Sequence, residues 1–434
     1  MLPFNRYTFA IASLIVIGNC TSAVAQLEFE AAPINYSDST PTDSVTQLQK
    51  QLDEGKLELE YDEKNGYLPA LLDALKIPYS SQMLVFSKTS LQLRRITPKK
   101  PRALYFNDDT YVGFVQGGDV IEISTADPQL GGVFYSLDTT KVDRPQLVRD
   151  QGQCITCHAS SRTEGVPGHL MRSVFVDRSG QPHYGSGTYT TKQSSPFDKR
   201  FGAWYVSGTH GDMRHMGNVI SPKNVRLDSL DRESGANLTD ISDLVDTTPY
   251  LEETSDLVAL MVLAHQLELH NLLTRGNFEA RNALHYNTVM NKALEREDDY
   301  ISDSTHRRVA SVGDKIVACM LFADEFQLTS PIQGASSFRE DFESSGQRDS
   351  KGRSLRDFDL QYRIFKYPCS YLIYSEAFDA LPEIMKDYVS KRLIEVLQSP
   401  PEDDEFKNLT KSDRRNILEI LSETKPTLFA KSVD

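Results

Sequence analysis

The chain has 434 residues, 25% of them charged and 39% hydrophobic, with 61 acidic against 47 basic side chains and a formal charge of −14. This is a globular composition, and its acidity argues against a nucleic-acid partner and for a basic or dipolar one. At about 400 mature residues the length implies two or three domains.

Residues 1–25 read as a secretory signal. Arg6 is the leading charge, Phe9 to Ile17 a short apolar run, and Ala23-Val24-Ala25 a small-x-small cleavage site before Gln26. The apolar run is too short to span a bilayer, and no later run is expected to, so no transmembrane anchor should survive cleavage. Loss of Arg6 would leave a balance of −15. The expected location is the periplasm or another exported compartment. A lipoprotein anchored through Cys20 is the weaker alternative, because Asn19 is a poor residue before a lipidated cysteine.

Residues 26–60 are polar, with Ser37 to Asp43 especially so, and read as a leader or linker. Residues 61–142 form a mixed α/β segment. Leu68 to Leu75 suggests a short helix and Gln82 to Ile96 a strand-like stretch. Ala103 to Leu137 holds four β-branched or aromatic runs punctuated by Asn107-Asp108-Asp109 and Gln116-Gly117-Gly118-Asp119 turns. Lys99-Lys100-Pro101-Arg102 reads as a short solvated loop. Asp143 and Pro145 suggest a brief helix ahead of the next feature.

That feature is Cys154-Ile155-Thr156-Cys157-His158, the C-x-x-C-H pattern of covalent haem attachment. Two thiols three positions apart can each bond one vinyl group of a single porphyrin, and the adjoining imidazole can ligate its iron. A zinc site would need a second ligand pair at finger-like spacing, and the sequence has no second CxxC. A redox CxxC would open a helix in a βαβ pattern, which is not seen here. Export supports the haem reading, because c-type haem is attached outside the cytoplasm. The stretch from 159 to about 230 is Gly-, Ser-, Thr- and His-rich and reads as long loops around a cofactor.

Residues 143–220 resemble the c-type cytochromes. The resemblance implies one covalent haem c, with thioethers at Cys154 and Cys157 and His158 as proximal iron ligand. It also implies a proline carbonyl accepting the His158 Nδ1–H, for which Pro167 in Gly165-Val166-Pro167-Gly168 is the candidate. A distal methionine should follow some tens of residues later. In Gly208 to Asn218 the first choice is Met216, where Gly217 permits a tight turn; Met213, His215 and His210 are alternatives, as is an open position. Met171 is the weaker choice, beginning an apolar run. About 125 residues of mature chain before the pentad, and a long region after it, depart from the small cytochromes.

Residues 231–434 are mainly helical. Asp256 to Leu273 is apolar nearly all round, Glu279 to Glu295 amphipathic, and Thr305 to Phe326 a third helix. Ser336 to Asp357 reads as a loop or mobile insert, and Leu381 to Leu397 and Ser412 to Ser422 as terminal helices. Cys319 and Cys369 are either a disulfide or two buried thiols. His265 and His270, five apart, read as structural imidazoles, with Asp256, Glu268, Glu279 and Glu295 as helix-surface charges and His285 and His306 isolated.

The expected fold is therefore α+β, mostly α: a cytochrome-c-like haem region (143–230) between a small β segment and a C-terminal helical region. The expected function is electron transfer with a redox partner protein or a small-molecule donor or acceptor. The alternatives are a peroxidase-like oxidoreductase with a displaceable distal ligand, served by His210 or His215 with Arg214, and a haem-based sensor.

Overall fold

The computed structural model describes residues 27–398 and 404–429; the expected signal segment, Cys20 included, lies outside them. The architecture is α+β, 37% helix and 14% strand.

The period-two runs between 83 and 149 form one antiparallel meander of six strands, in the order β1-β2-β3-β4-β5-β6. They are β1 (Met83–Val85), β2 (Arg102–Phe106), β3 (Thr110–Val115), β4 (Val120–Asp127), β5 (Gly131–Asp138) and β6 (Leu147–Arg149). The stretch expected to be a strand over 82–96 gives only β1; residues after Val85 form bends and turns. Arg102, expected in a solvated loop, opens β2. Where a helix was expected at 143–145 the chain enters β6, pairing with β5.

On β4, buried Ile121 and Ile123 alternate with half-buried Glu122 and Ser124, so the two faces differ. The first face, with Tyr105, Val112, Ile121, Ile123, Val133 and Leu137, buries against α1 (Ser44–Asp53) and α2 (Leu68–Ala74). Residues 27–60 are thus no linker. Phe29, Ile34, Tyr36, Val45 and Leu48 are core, and the Asp43 carboxylate caps α1 while accepting from Thr125 and Tyr135 hydroxyls, both at 2.7 Å. Polar composition hid this, because the segment has few apolar side chains, of which Phe29, Ile34, Val45 and Leu48 are buried while Leu27 is exposed.

The second face meets α4 (Leu257–Ala293), a 37-residue helix capped by Asp256. It joins the two helices expected at 256–273 and 279–295. Its length and composition suit a membrane span, but 94% of its apolar window is buried inside the fold. Three further helices, α5 (Asp303–Met320), α8 (Glu383–Gln398) and α9 (Lys411–Thr424), surround it; before α8 come the short α6 (Phe338–Ser344) and α7 (Glu376–Asp379). α6 lies in the stretch expected to be a loop and buries Phe338 and Phe342.

Between sheet and helices, residues 150–256 are irregular, which was expected for 159 to about 230, whereas 231–256 fall in the stretch expected to be mainly helical and hold no helix. Residues 150–256 hold one α-helical turn, α3 (Ile155–His158), several 3-10 turns, the short pair β7 (Arg172–Val174) and β8 (Thr188–Thr190), and β9 (Gly208–Thr209), which pairs with β10 (Gln333–Gly334). The free edge of β1 is covered by residues 203–205, through Phe86 N–H to the Ala203 carbonyl and Tyr205 N–H to the Leu84 carbonyl, both 2.9 Å.

Candidate cofactor site

α3 is one turn long. Cys154 stands just before it, and its carbonyl accepts the N–H groups of Cys157 (3.1 Å) and His158 (3.0 Å). That turn puts the two thiols on adjacent positions of one face. The Asp150 carboxylate fixes the entry, accepting from Gly152 and Cys154 N–H, both 2.9 Å. Ile155 is buried in the sheet-side core, whereas Cys154 is half-buried and Cys157 exposed. Burial, with Asp150 adding to it, pushes the Cys154 thiol up to about 12.

The His158 ring lies 4.7 Å from that of Phe134 on β5. Its Nδ1 is 2.9 Å from the Gly168 carbonyl, which can only accept, so Nδ1 carries the proton. Burial lowers the pKa of His158, only partly offset by that carbonyl. The ring is therefore neutral at pH 7, with a lone pair on Nε2, which has no hydrogen-bond partner among the described residues. Pro167 does not supply the expected bond: its carbonyl accepts the Gly132 N–H at 2.8 Å, and the acceptor for His158 is one residue further on. Gly132 and Gly168 touch backbone to backbone; a Cβ on Gly132 would stand 2.8 Å from the Gly168 nitrogen. His169 continues the bracket, exchanging two backbone bonds with the Asn271 amide on α4 (2.9 and 2.7 Å) and reaching Ser124 Oγ through Nε2 at 3.0 Å.

The distal candidates lie elsewhere. Residues 216–218 hang on the segment covering β1, through Met216 N–H to the Arg200 carbonyl and Asn218 N–H to that of Trp204. Met216 is 2% exposed, packs with Phe175 and Leu230, and takes the Ser173 hydroxyl on its sulfur at 3.6 Å. The His158 ring meets Phe134 on β5 and His169, neither of which is among the contacts of Met216. Donor atoms on opposite sides of one metal stand only about 4–5 Å apart. Among the described residues no contact joins Met216 to His158, the pair expected to share one iron.

The alternatives fare no better. Met213 is buried in the helical core, as is Met171. His210 uses both ring nitrogens, on the Met213 carbonyl (2.7 Å) and the Asn237 N–H (3.0 Å). His215 accepts the Gly217 N–H on Nδ1, and burial pushes its pKa down to about 3. Arg214 is held by Glu233 in two 2.8 Å bonds, so it serves no distal position either. His265, bonded to Gln193 and Ser370 (each 2.7 Å), is a satisfied core imidazole, whereas His270 meets the Tyr111 hydroxyl through Nδ1 at 2.8 Å and leaves its buried Nε2 without a partner.

Cys319 and Cys369 are separate buried thiols, not a disulfide. Among the described residues no three His, Cys, Asp or Glu side chains converge to hold a metal ion unaided. A haem iron asks the protein for only one or two ligands, and here the two thiols and the free Nε2 fit it. Sequence reasoning missed Gly132, Phe134, Gly168 and Asn271, which aim His158; only the Gly-Pro turn signalled any of them. Compared with family models, curated proteins and solved structures, the chain matches none.

Proposed function

We propose that this chain is an exported c-type haem protein that handles electrons. Cys154 and Cys157 would hold one covalent haem c and His158 would ligate its iron. One observation carries the reading: beside two thiols one turn apart, the Gly168 carbonyl fixes the His158 tautomer that leaves Nε2 free for a metal. Bound there, haem c supplies one-electron chemistry at a potential set by its ligands and surroundings. The chain's own residues orient the imidazole and shield its inner edge with Phe134 and His169. An electron-transfer role suits the acidic surface, which would steer a basic partner protein, although a small-molecule donor or acceptor fits equally well.

A second reading is favoured by the placement of Met216 on Ser173. With that sulfur engaged by Ser173, the iron's other face would take an exchangeable ligand, as in a haem oxidoreductase or sensor. Absorption spectra of protein matured with the haem-attachment machinery test both. Low-spin six-coordinate iron inert to carbon monoxide supports electron transfer alone. High-spin iron that binds carbon monoxide or cyanide supports the second reading, and absence of any haem spectrum would sink both.

A further inference from the structure

The second sheet face is not wholly covered by α4. Strand register places Leu104, Gly113, Glu122, Ser136 and Val148 side by side across β2 to β6 on the face that carries Phe134. Val148 is 57% exposed, and Leu104, Glu122 and Ser136 are half-buried. Phe134 pairs with Ser124, so Glu122 and Ser136 are the next positions along the same face, within about 7–8 Å of it. Arg102 follows Leu104 on that face. Phe134 meets the His158 ring at 4.7 Å, so this row of side chains begins at the pentad.

The guanidinium of Arg102 is half used. Nη1 donates to Glu122 Oε2 at 2.7 Å, and the other oxygen of that carboxylate is held by Ser90 Oγ and Gln92 Nε2, each at 3.2 Å. Arg102 Nε is buried without a hydrogen-bond partner. A buried unsatisfied donor on a charged group is costly. Nε and Nη2 form the side-on fork that matches a carboxylate in two parallel bonds, and this is the edge that Glu122 leaves free. The loop carrying Gln92 also exposes Leu91 (58%) and Leu93 (44%). An unused cationic fork thus joins, through Glu122, the row of half-open side chains that begins at Phe134.

Resting on the haem reading above, we propose that this sheet face is the second wall of the haem site, and that Arg102, oriented by Glu122, binds a haem carboxylate. It would give the N-terminal sheet, foreign to small cytochromes, a direct part in the site. Arg102 would act as a cofactor-binding residue and Glu122 as a positioning residue.

The test uses full-length holoprotein, in which covalent haem is first confirmed by in-gel haem staining after denaturation. Unstained wild-type protein would end the haem reading itself, and the proposal with it. With haem present, Arg102→Leu should lower the midpoint potential, because a cation near the iron disfavours Fe(III), and should shift the propionate bending bands in resonance Raman spectra. Arg102→Lys should restore most of the potential but not the bands, since a point charge cannot form the fork. Glu122→Gln should raise the potential, the opposite sign, and it decides the matter if Arg102→Leu does not fold. Wild-type potentials and bands in the loaded Arg102→Leu and Glu122→Gln proteins would overturn the proposal while leaving the attachment of haem intact.

Discussion

An imidazole ligates a metal only when neutral and correctly turned, and both conditions at His158 come from neighbours with no chemistry of their own. Burial keeps the ring uncharged, and the Gly168 carbonyl selects its tautomer. That carbonyl is placed by a contact that two glycines allow. Gly132→Ala should force β5 away from the loop at Pro167 and Gly168, cost about 1–3 kcal/mol, and reduce the fraction of protein that matures with haem, measured by haem content per polypeptide. Normal loading in a folded Gly132→Ala protein would show that the bracket does not matter. Met216→Ala gives the converse expectation. It should leave the haem spectrum unchanged while destabilising the fold by roughly 2–4 kcal/mol, because a buried side chain is replaced by a void. A shift from low-spin to high-spin iron in that variant would return Met216 to the iron. The pentad is legible as a candidate haem motif because its residues are adjacent in the chain. The distal choice is not, because a methionine in a Gly-rich loop looks the same whether it faces iron or fills a hydrophobic gap.

At the scale of elements, composition and period located most strands and helices, and failed where tertiary contact decides. Thr274-Arg275-Gly276-Asn277 reads as a break between two helices, yet α4 runs through it. Gly276 is there for closeness: a Cβ would stand 2.7 Å from Ile316 Cδ1 on α5. Asp256 was read as a surface charge and is 1% exposed. Its Oδ1 accepts from Val258 and Ala259 N–H (2.7 and 3.1 Å), and its Oδ2 from Ala335 and Ser336 N–H (2.8 and 2.9 Å). One carboxylate thereby caps α4 and fixes the turn before α6. Asp256→Ala should cost about 2–4 kcal/mol in denaturant unfolding, more than a surface cap, because buried donors lose their acceptor. A loss below half a kcal/mol would contradict that role.

For the whole molecule, one sheet is shared by two cores, with α1 and α2 on one face and α4 with its helical neighbours on the other. The pentad lies beside this sheet, with Ile155 in its core and His158 against Phe134. The helical core holds two neutral imidazoles, His265 and His270, both pushed down to about 3 by burial. Unfolded, each would take a proton near pH 6.5. Their contribution is thus present above that pH and is lost as pH falls from 6.5 towards 3, at up to ~1.4 kcal/mol per pH unit each. Urea unfolding at pH 7.5 and pH 5 should show the loss, and His270→Gln should reduce its slope; equal slopes would remove the effect. The core thiols Cys319 and Cys369 should resist alkylation in the native state and react after unfolding without reductant. The central claim is covalent haem at one turn of helix, and peptide mass spectrometry of exported, denatured and digested protein tests it most directly. Expected is a single peptide spanning Cys154 to His158 that carries one haem and no alkylatable thiol, and loses the haem in Cys154→Ala combined with Cys157→Ala. Recovery of that peptide with both thiols alkylated and no haem mass, from cells able to mature c-type cytochromes, would contradict it.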